Sequence, residues 1–375
     1  GGLTISNGAD AGITGSVSVN EIDNAVWARA LGNNTLNAAA GGVSASATGD
    51  TDIDVVVIAV AGTVKTGSGN SDNNNSSDVT FAGAGSVAVN IVETELLAQI
   101  EGNSSITTTG DLELTATDNS SITTDAGGVA IALALDNGST AGAVGASVAV
   151  NDLTQTIKAT VTDTTVAAGN VALTAINAAD IEALTIAGSL AVSNESDALG
   201  GAGAGSGNYI LSETEASVTN PSGVKTLTTT GNIIITASDQ SKVNADAGAG
   251  ALSIALNGGD LGAIAVGAAA AKNEITKVTT AALKNVDASG VNVLVTADST
   301  STVDAFTLGI AGALVSDGGT LALAGAGSGS GNFIISDVSA IIDPSIIIAS
   351  GNVLVSADDA SSINATAGAV TASIN

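Results

Sequence analysis

SVAVNDLTQTIKATV, residues 147–161, is the stretch on which the fold turns. Counting from Asn151, apolar side chains stand at +2 (Leu153), +6 (Ile157), +8 (Ala159) and +10 (Val161), with Lys158 between them. Alternation of period two is that of a strand with one buried and one wet face. The same pattern is written six times. It runs Asn20 to Ala28, Asn90 to Ala98, Asn151 to Ala159, Asn208 to Ala216, Asn273 to Ala281 and Asn332 to Ala340. The odd positions vary and carry charge (Glu21, Asp23, Glu93, Glu95, Glu213, Glu215, Asp337), whereas the even positions stay small or aliphatic. The exception is +4, polar in every copy (Asn24, Thr94, Gln155, Ser212, Lys277, Ser336), which reads as a bend or a local change of face.

A second marker keeps step with the first: a turn, then an alternating apolar strand closing in Ala, as in GDLELTA (110–116), GNVALTA (169–175) and GNIIITA (231–237). The closing residues are Ala47, Ala116, Ala175, Ala237, Ala297 and Ala357, at steps of 69, 59, 62, 60 and 60 residues. The long first step is explained by residues 62–78 (GTVKTGSGNSDNNNSSD), polar and of low complexity, read as an inserted surface loop. Each unit holds three phases: the marker strand, a Gly/Ala-rich strand such as AGGVAIALAL (126–135), and, after a polar turn, the Asn-to-Ala strand, often entered through AGAGSG (202–207, 324–329). Residues 1–375 therefore read as one continuous array of degenerate repeats of about 60 residues.

Composition gives the class. Forty-seven glycines, five aromatics (Trp27, Phe81, Tyr209, Phe306, Phe333) and 45% hydrophobic residues, mostly small or β-branched, disfavour helix and suit thin layers of strand. The expected fold is all-β, a β-solenoid or stacked parallel β-helix. Aliphatic ladders then stack coil on coil, and each Asn hydrogen-bonds to the copies above and below. The recurrent Ala marks a narrow place between sheets. Coils of the usual 20 to 30 residues imply two or three per unit, hence roughly eighteen coils and a rod of roughly 90 Å, in preference to six broad coils and a block of roughly 30 Å.

The SVxVN…A strands (SVSVNEIDNAVWARA at 16–30, SVAVNIVETELLAQI at 86–100, and 147–161), together with the GNVALTA-type strands, resemble the repetitive regions of giant bacterial surface proteins. These are the filamentous-haemagglutinin-like and leukotoxin-like adhesins, or β-strand-repeat adhesins, and the resemblance covers essentially the whole chain. It implies secretion, a solenoid stalk or filament at the cell surface, and adhesion or biofilm-matrix roles. The chain begins and ends partway through a repeat, as an excerpt of a longer protein would.

Chemistry is sparse. No Cys, Met or His is present, which removes disulfides, thiolate ligands and the usual general base. Eight basic residues against 36 acidic ones, a net charge of −28, repel nucleic acid and anionic membrane. Apolar runs such as GAIAVGAAAA (262–271) are too short to cross a bilayer as a helix, and no aromatic girdle marks a barrel, so no membrane insertion is expected. Carboxylate pairs (Glu213 with Glu215, Asp358 with Asp359) read as solvated strand acids, and no enzyme and no cofactor is expected. Calcium is the one metal the composition allows, through Asp50, Asp52 and Asp54 and through Asp118, Asp239, Asp298 and Asp358, which follow the marker strands. The Gly-rich runs read as close sheet packing, and the Thr clusters at 107–109 and 228–230 as flat ladders able to meet ice or a crystalline polymer. The expected partners are other copies, joined end to end or within a longer chain. The alternative function is a module binding carbohydrate or another cell surface through one exposed face.

Overall fold

The computed structural model describes residues 2–6 (backbone only), 10–66, 78–136, 138–257, 261–316 and 321–375. All regular structure in these residues is strand, and all strand pairing is parallel, in four sheets. The long sheet has six strands of 21 to 23 residues, such as Thr140–Thr162. A corner sheet of strands such as Thr165–Ala168 follows, then the marker sheet (such as Val171–Asn177), then a return sheet of strands such as Asp180–Ser193. The long sheet packs against the return and marker sheets together, closing a flattened coil with the corner sheet at one end.

One unit is one coil. Asn151 pairs directly with Asn90 on one side and Asn208 on the other, and Ala175 lies between Ala116 and Ala237. This overturns the expectation of two or three coils per unit. The reason is strand length: the Asn-to-Ala strand and the Gly/Ala run before it form one uninterrupted strand of about 22 residues. A single circuit thus consumes the whole repeat. Six coils at about 4.8 Å give a block roughly 29 Å deep.

The corner is turned by residues held at left-handed φ, among them Gly32 (90°), Gly102 (85°), Asp163 (49°) and Asn285 (55°). Residues 62–65 belong to the return strand Asp52–Lys65, with Thr63 and Lys65 buried, so the inserted loop does not start at residue 62. Residues 67–77 of that loop lie outside the described residues, and the long strand begins at Val79.

The interior has three compartments along the flattened coil. The corner end is filled by Leu96, Ile100, Ile106, Leu112, Leu114 and their stacked equivalents, with Ala98, Ala159, Ala216 and Ala281 and the closing Ala47, Ala116, Ala175, Ala237 and Ala297 of the marker strands in the same cluster. A middle compartment joins Val92, Leu153, Ile210 and Ile275 to Ile122, Ile181 and Val243. The far end is almost all Ala. There the two sheets nearly touch: a Cβ on Gly145 would stand 2.1 Å from the Gly188 carbonyl oxygen, and one on Gly128 2.0 Å from that of Ala146. The glycines of the AGAGSG runs have a different place. Gly203, Gly325, Gly327 and Gly329 alternate with the inward Ala and Ser and have open space around them. Close packing is made by the inward Ala and by the lone inward glycines, not by those of the runs.

Candidate functional site

The polar groups that sequence singles out converge inside the block, in two columns. The first is the Asn column. Each side-chain amide donates to the next Asn: Asn20 to Asn90 at 2.7 Å, then Asn90 to Asn151, Asn151 to Asn208, Asn208 to Asn273 and Asn273 to Asn332, each at 2.8 Å. Asn90, Asn151, Asn208 and Asn273 are fully buried. Thr124, on the facing return strand, accepts from Asn90 and donates to Asn151, tying the two sheets together at this level.

The second column is the one formed by +4. These residues do not change face: Thr94, Gln155, Ser212 and Lys277 all point inward and are buried. Gln155, Ser212 and Lys277 meet another column, in register, at the end of the marker strands and polar in every coil but the first: Gly49, Asp118, Asn177, Asp239, Ser299, Asp359. Gln155 donates to Asp118, and Asn177 donates to Gln155 (3.1 Å) and to Asp239 (3.1 Å). Ser212 donates to Asp239 at 2.5 Å, and Lys277 bonds the hydroxyls of Ser299, Ser301 and Ser361. Sequence alone leaves this pairing unread, although a polar residue two positions past five of the six closing Ala residues was its signal.

The carboxylates of this column fall in alternate coils, so two coils, about 9.6 Å, separate them. Burial pushes the Asp118 carboxyl up, against hydrogen bonds from Ser120 and Gln155. Asp359, in the last coil, is desolvated less than it is hydrogen-bonded, chiefly by Ser361 and Ser299, and is held down at about 2. Burial pushes the Lys277 ammonium down, opposed by the charges of Asp239 and Asp359. A second buried lysine, Lys65, closes the far end of the first coil. Its Nζ lies 2.8 Å from Asp78 and 3.2 Å from Asp136, and these partners outweigh burial and raise its pKa.

The remaining candidates are dispersed. Glu213 and Glu215 face outward and share Lys158, at 2.5 and 3.5 Å. Asp358 and Asp359 alternate on their strand: Asp359 accepts from Ser299 and Ser361 in the inner column, while Asp358 takes the outward position. The proposed calcium ligands are split likewise. Asp118 and Asp239 are interior, whereas Asp50, Asp52, Asp54 and Asp358 are exposed. Among the described residues no three acidic side chains gather where a cation would sit. The threonine clusters form no ladder either: Thr107 and Thr228 stand in a corner column that reads Asn37, Thr107, Ala167, Thr228, Ser289, Ile348.

No protein-family model, curated protein or solved structure matches this chain. Its own geometry is therefore what speaks to function. The amides of the Asn column, and most side chains of the second column, lie inside and bond one another along the stacking axis. What such columns do physically is hold register: a one-residue slip of any long strand would drive its Asn into the solvent face and a charged side chain into the core.

Proposed function

We propose that this chain is a structural segment of a secreted bacterial filament, stalk or adhesin, stiffened by its stacked coils. The observation that carries the reading is the Asn20-to-Asn332 column, in which one hydrogen bond is repeated through all six coils and spends the recurrent polar group on the protein itself. Stacked repeats of this kind draw their stability from nearest-neighbour contacts, so length can be added without a new core. The acidic outer positions keep neighbouring fibres apart in water. The resemblance of the SVxVN…A strands to giant repetitive surface proteins supports the cell-surface setting.

Immunogold labelling of intact producing cells, with antibody raised against the purified chain, tests the proposal. Label along fibres outside the cell is expected, and label confined to the cytosol overturns it. Saturable binding on a glycan array, lost on mutation of one outer face, would replace the structural role with carbohydrate recognition.

A further inference from the structure

The far-end half of the return sheet is inverted relative to an ordinary sheet, with mostly small residues inside and large aliphatic ones outside. Its outward positions at 58–64, 127–133, 186–192, 248–254, 308–314 and 368–374 hold only Gly, Ala, Val, Ile and Leu. Ile58 is 59% exposed, Ile186 49% and Ile310 43%. Four columns by six coils make a charge-free face of about 25 by 29 Å, or roughly 700 Å². That exceeds the largest apolar patch of a typical monomer, about 300–600 Å². It approaches the roughly 800 Å² that each partner contributes to a stable interface.

One edge of the face is also corrugated. Its first column reads Ile58, Gly127, Ile186, Gly248, Leu308, Gly368, so a large side chain and a glycine alternate coil by coil. In that column ridges recur every two coils, about 9.6 Å, with grooves of the same spacing between them, whereas the three columns beside it do not alternate in this way. Gly127 floors one such groove, about 200 Å³, walled by Val56, Ile58, Leu184 and Ile186. These glycines are not required by the chain's own packing: a Cβ on Gly248 or Gly250 would meet nothing within 4 Å, and neither has a positive φ. Glycine inside a strand costs stability and marks a close approach by another body. On the long sheet the column Ile13, Gly83, Val144, Gly201, Val266, Gly325 keeps the same two-coil phase. That face is less apolar, with Lys272 and more glycine beside it.

We propose that the outer face of the return sheet is a lateral docking surface for a second copy of this chain. The two copies pack face to face about a twofold axis, displaced so that the ridges of one enter the grooves of the other. Equal ridge and groove spacing makes the first column complementary to its own copy with the coil order reversed, as an isologous contact about an axis along the strands requires. Charge is compatible with this face: copies bearing −28 each approach most easily where no charge is present. Asp125 and Asp246, in the adjoining column, place acid at the open ends of the grooves, which disfavours an anionic lipid surface as the occupant.

Sedimentation of the purified chain over a range of concentrations tests this, with two variants. The wild type is expected to dimerise. Ile186→Asp with Leu252→Asp should weaken the dimer at least a hundredfold while the far-ultraviolet dichroism stays that of strand. Gly248→Leu with Gly250→Leu, which adds apolar surface but fills the grooves, should weaken it at least tenfold. Tighter association of the groove-filled variant would mean general stickiness and overturn the proposal. So would a wild type that stays monomeric yet floats with phosphatidylcholine vesicles. Linear polymers insensitive to both variants, the mark of end-to-end stacking, would overturn it equally.

Discussion

Asn90 donates its side-chain amide to Asn151 at 2.8 Å, across 61 residues of chain and one coil of the solenoid. Both side chains are fully buried, so neither has water to fall back on. The bond is therefore strong in its consequence when broken, more than in its net gain when made.

Asn151→Ala should accordingly destabilise the array by about 2 to 5 kcal/mol, since it orphans a donor on Asn90 and an acceptor on Asn208. Asn20→Ala, in the half-buried first coil, should cost about 1 kcal/mol. Urea unfolding read by dichroism checks the ranking, and hydrogen exchange locates the loss in the coils next to Asn151.

Ala216 is fully buried among the corner-end aliphatics, while Glu215 faces outward toward Lys158. Ala216→Leu overfills a packed layer and should cost about 1 to 3 kcal/mol or more. Glu215→Leu gives up a partly exposed ion pair and should cost under about 1 kcal/mol. Equal losses in unfolding free energy would contradict the inward placement of the +8 column.

Position decides what a glycine is for. Gly145→Ala puts a Cβ against the backbone of the opposite sheet and should cost at least about 3 kcal/mol. Gly250→Ala, with open space around it, should change stability by no more than about 1 kcal/mol and in the stabilising direction. Thermal melts of the two variants separate these cases.

Asp118 sets a pH dependence. Its folded pKa is raised above 3.8, so the folded chain holds that proton more tightly than the unfolded chain does. The resulting stability is fully present below 3.8 and is lost as pH rises through the folded value. Asp359 acts oppositely, its contribution being present above 3.8 and lost as pH falls through about 2. The melting temperature should therefore rise as pH drops from neutral toward 3.8. Asp118→Asn, which extends the side-chain amide of Asn177 by one coil, should flatten that rise and raise the neutral-pH melting temperature. A wild-type slope kept intact by Asp118→Asn would remove Asp118 as its source.

Alternation around Asn151 and the step between closing alanines were enough to read strand, burial and a stacked parallel array, because both depend only on local spacing. The bend assigned to +4 failed for a physical reason. A polar residue in an apolar row looks like a change of face unless its partner is known. The partners of Gln155 and Lys277, Asp118, Ser299 and Ser301, come from a different strand some two dozen residues or more away. The threonine clusters misled in the same way, since runs along the chain become ladders only if neighbouring coils repeat them.

What the amino-acid sequence determined by itself was the repeat, the all-β class and which side of each long strand is buried, since a period of two leaves only two faces to choose between. Tertiary structure alone decided that one unit makes one coil, that Asp118 and Asp239 are interior while Asp358 is not, and that the large aliphatic residues in the far-end half of the return strands face outward. Those outcomes rest on the distance between two facing sheets. Where the long and return sheets close to backbone contact, at Gly128 and Gly145, the interior is left mostly to Ala and Gly, and the large aliphatic side chains of that half of the return strands point away.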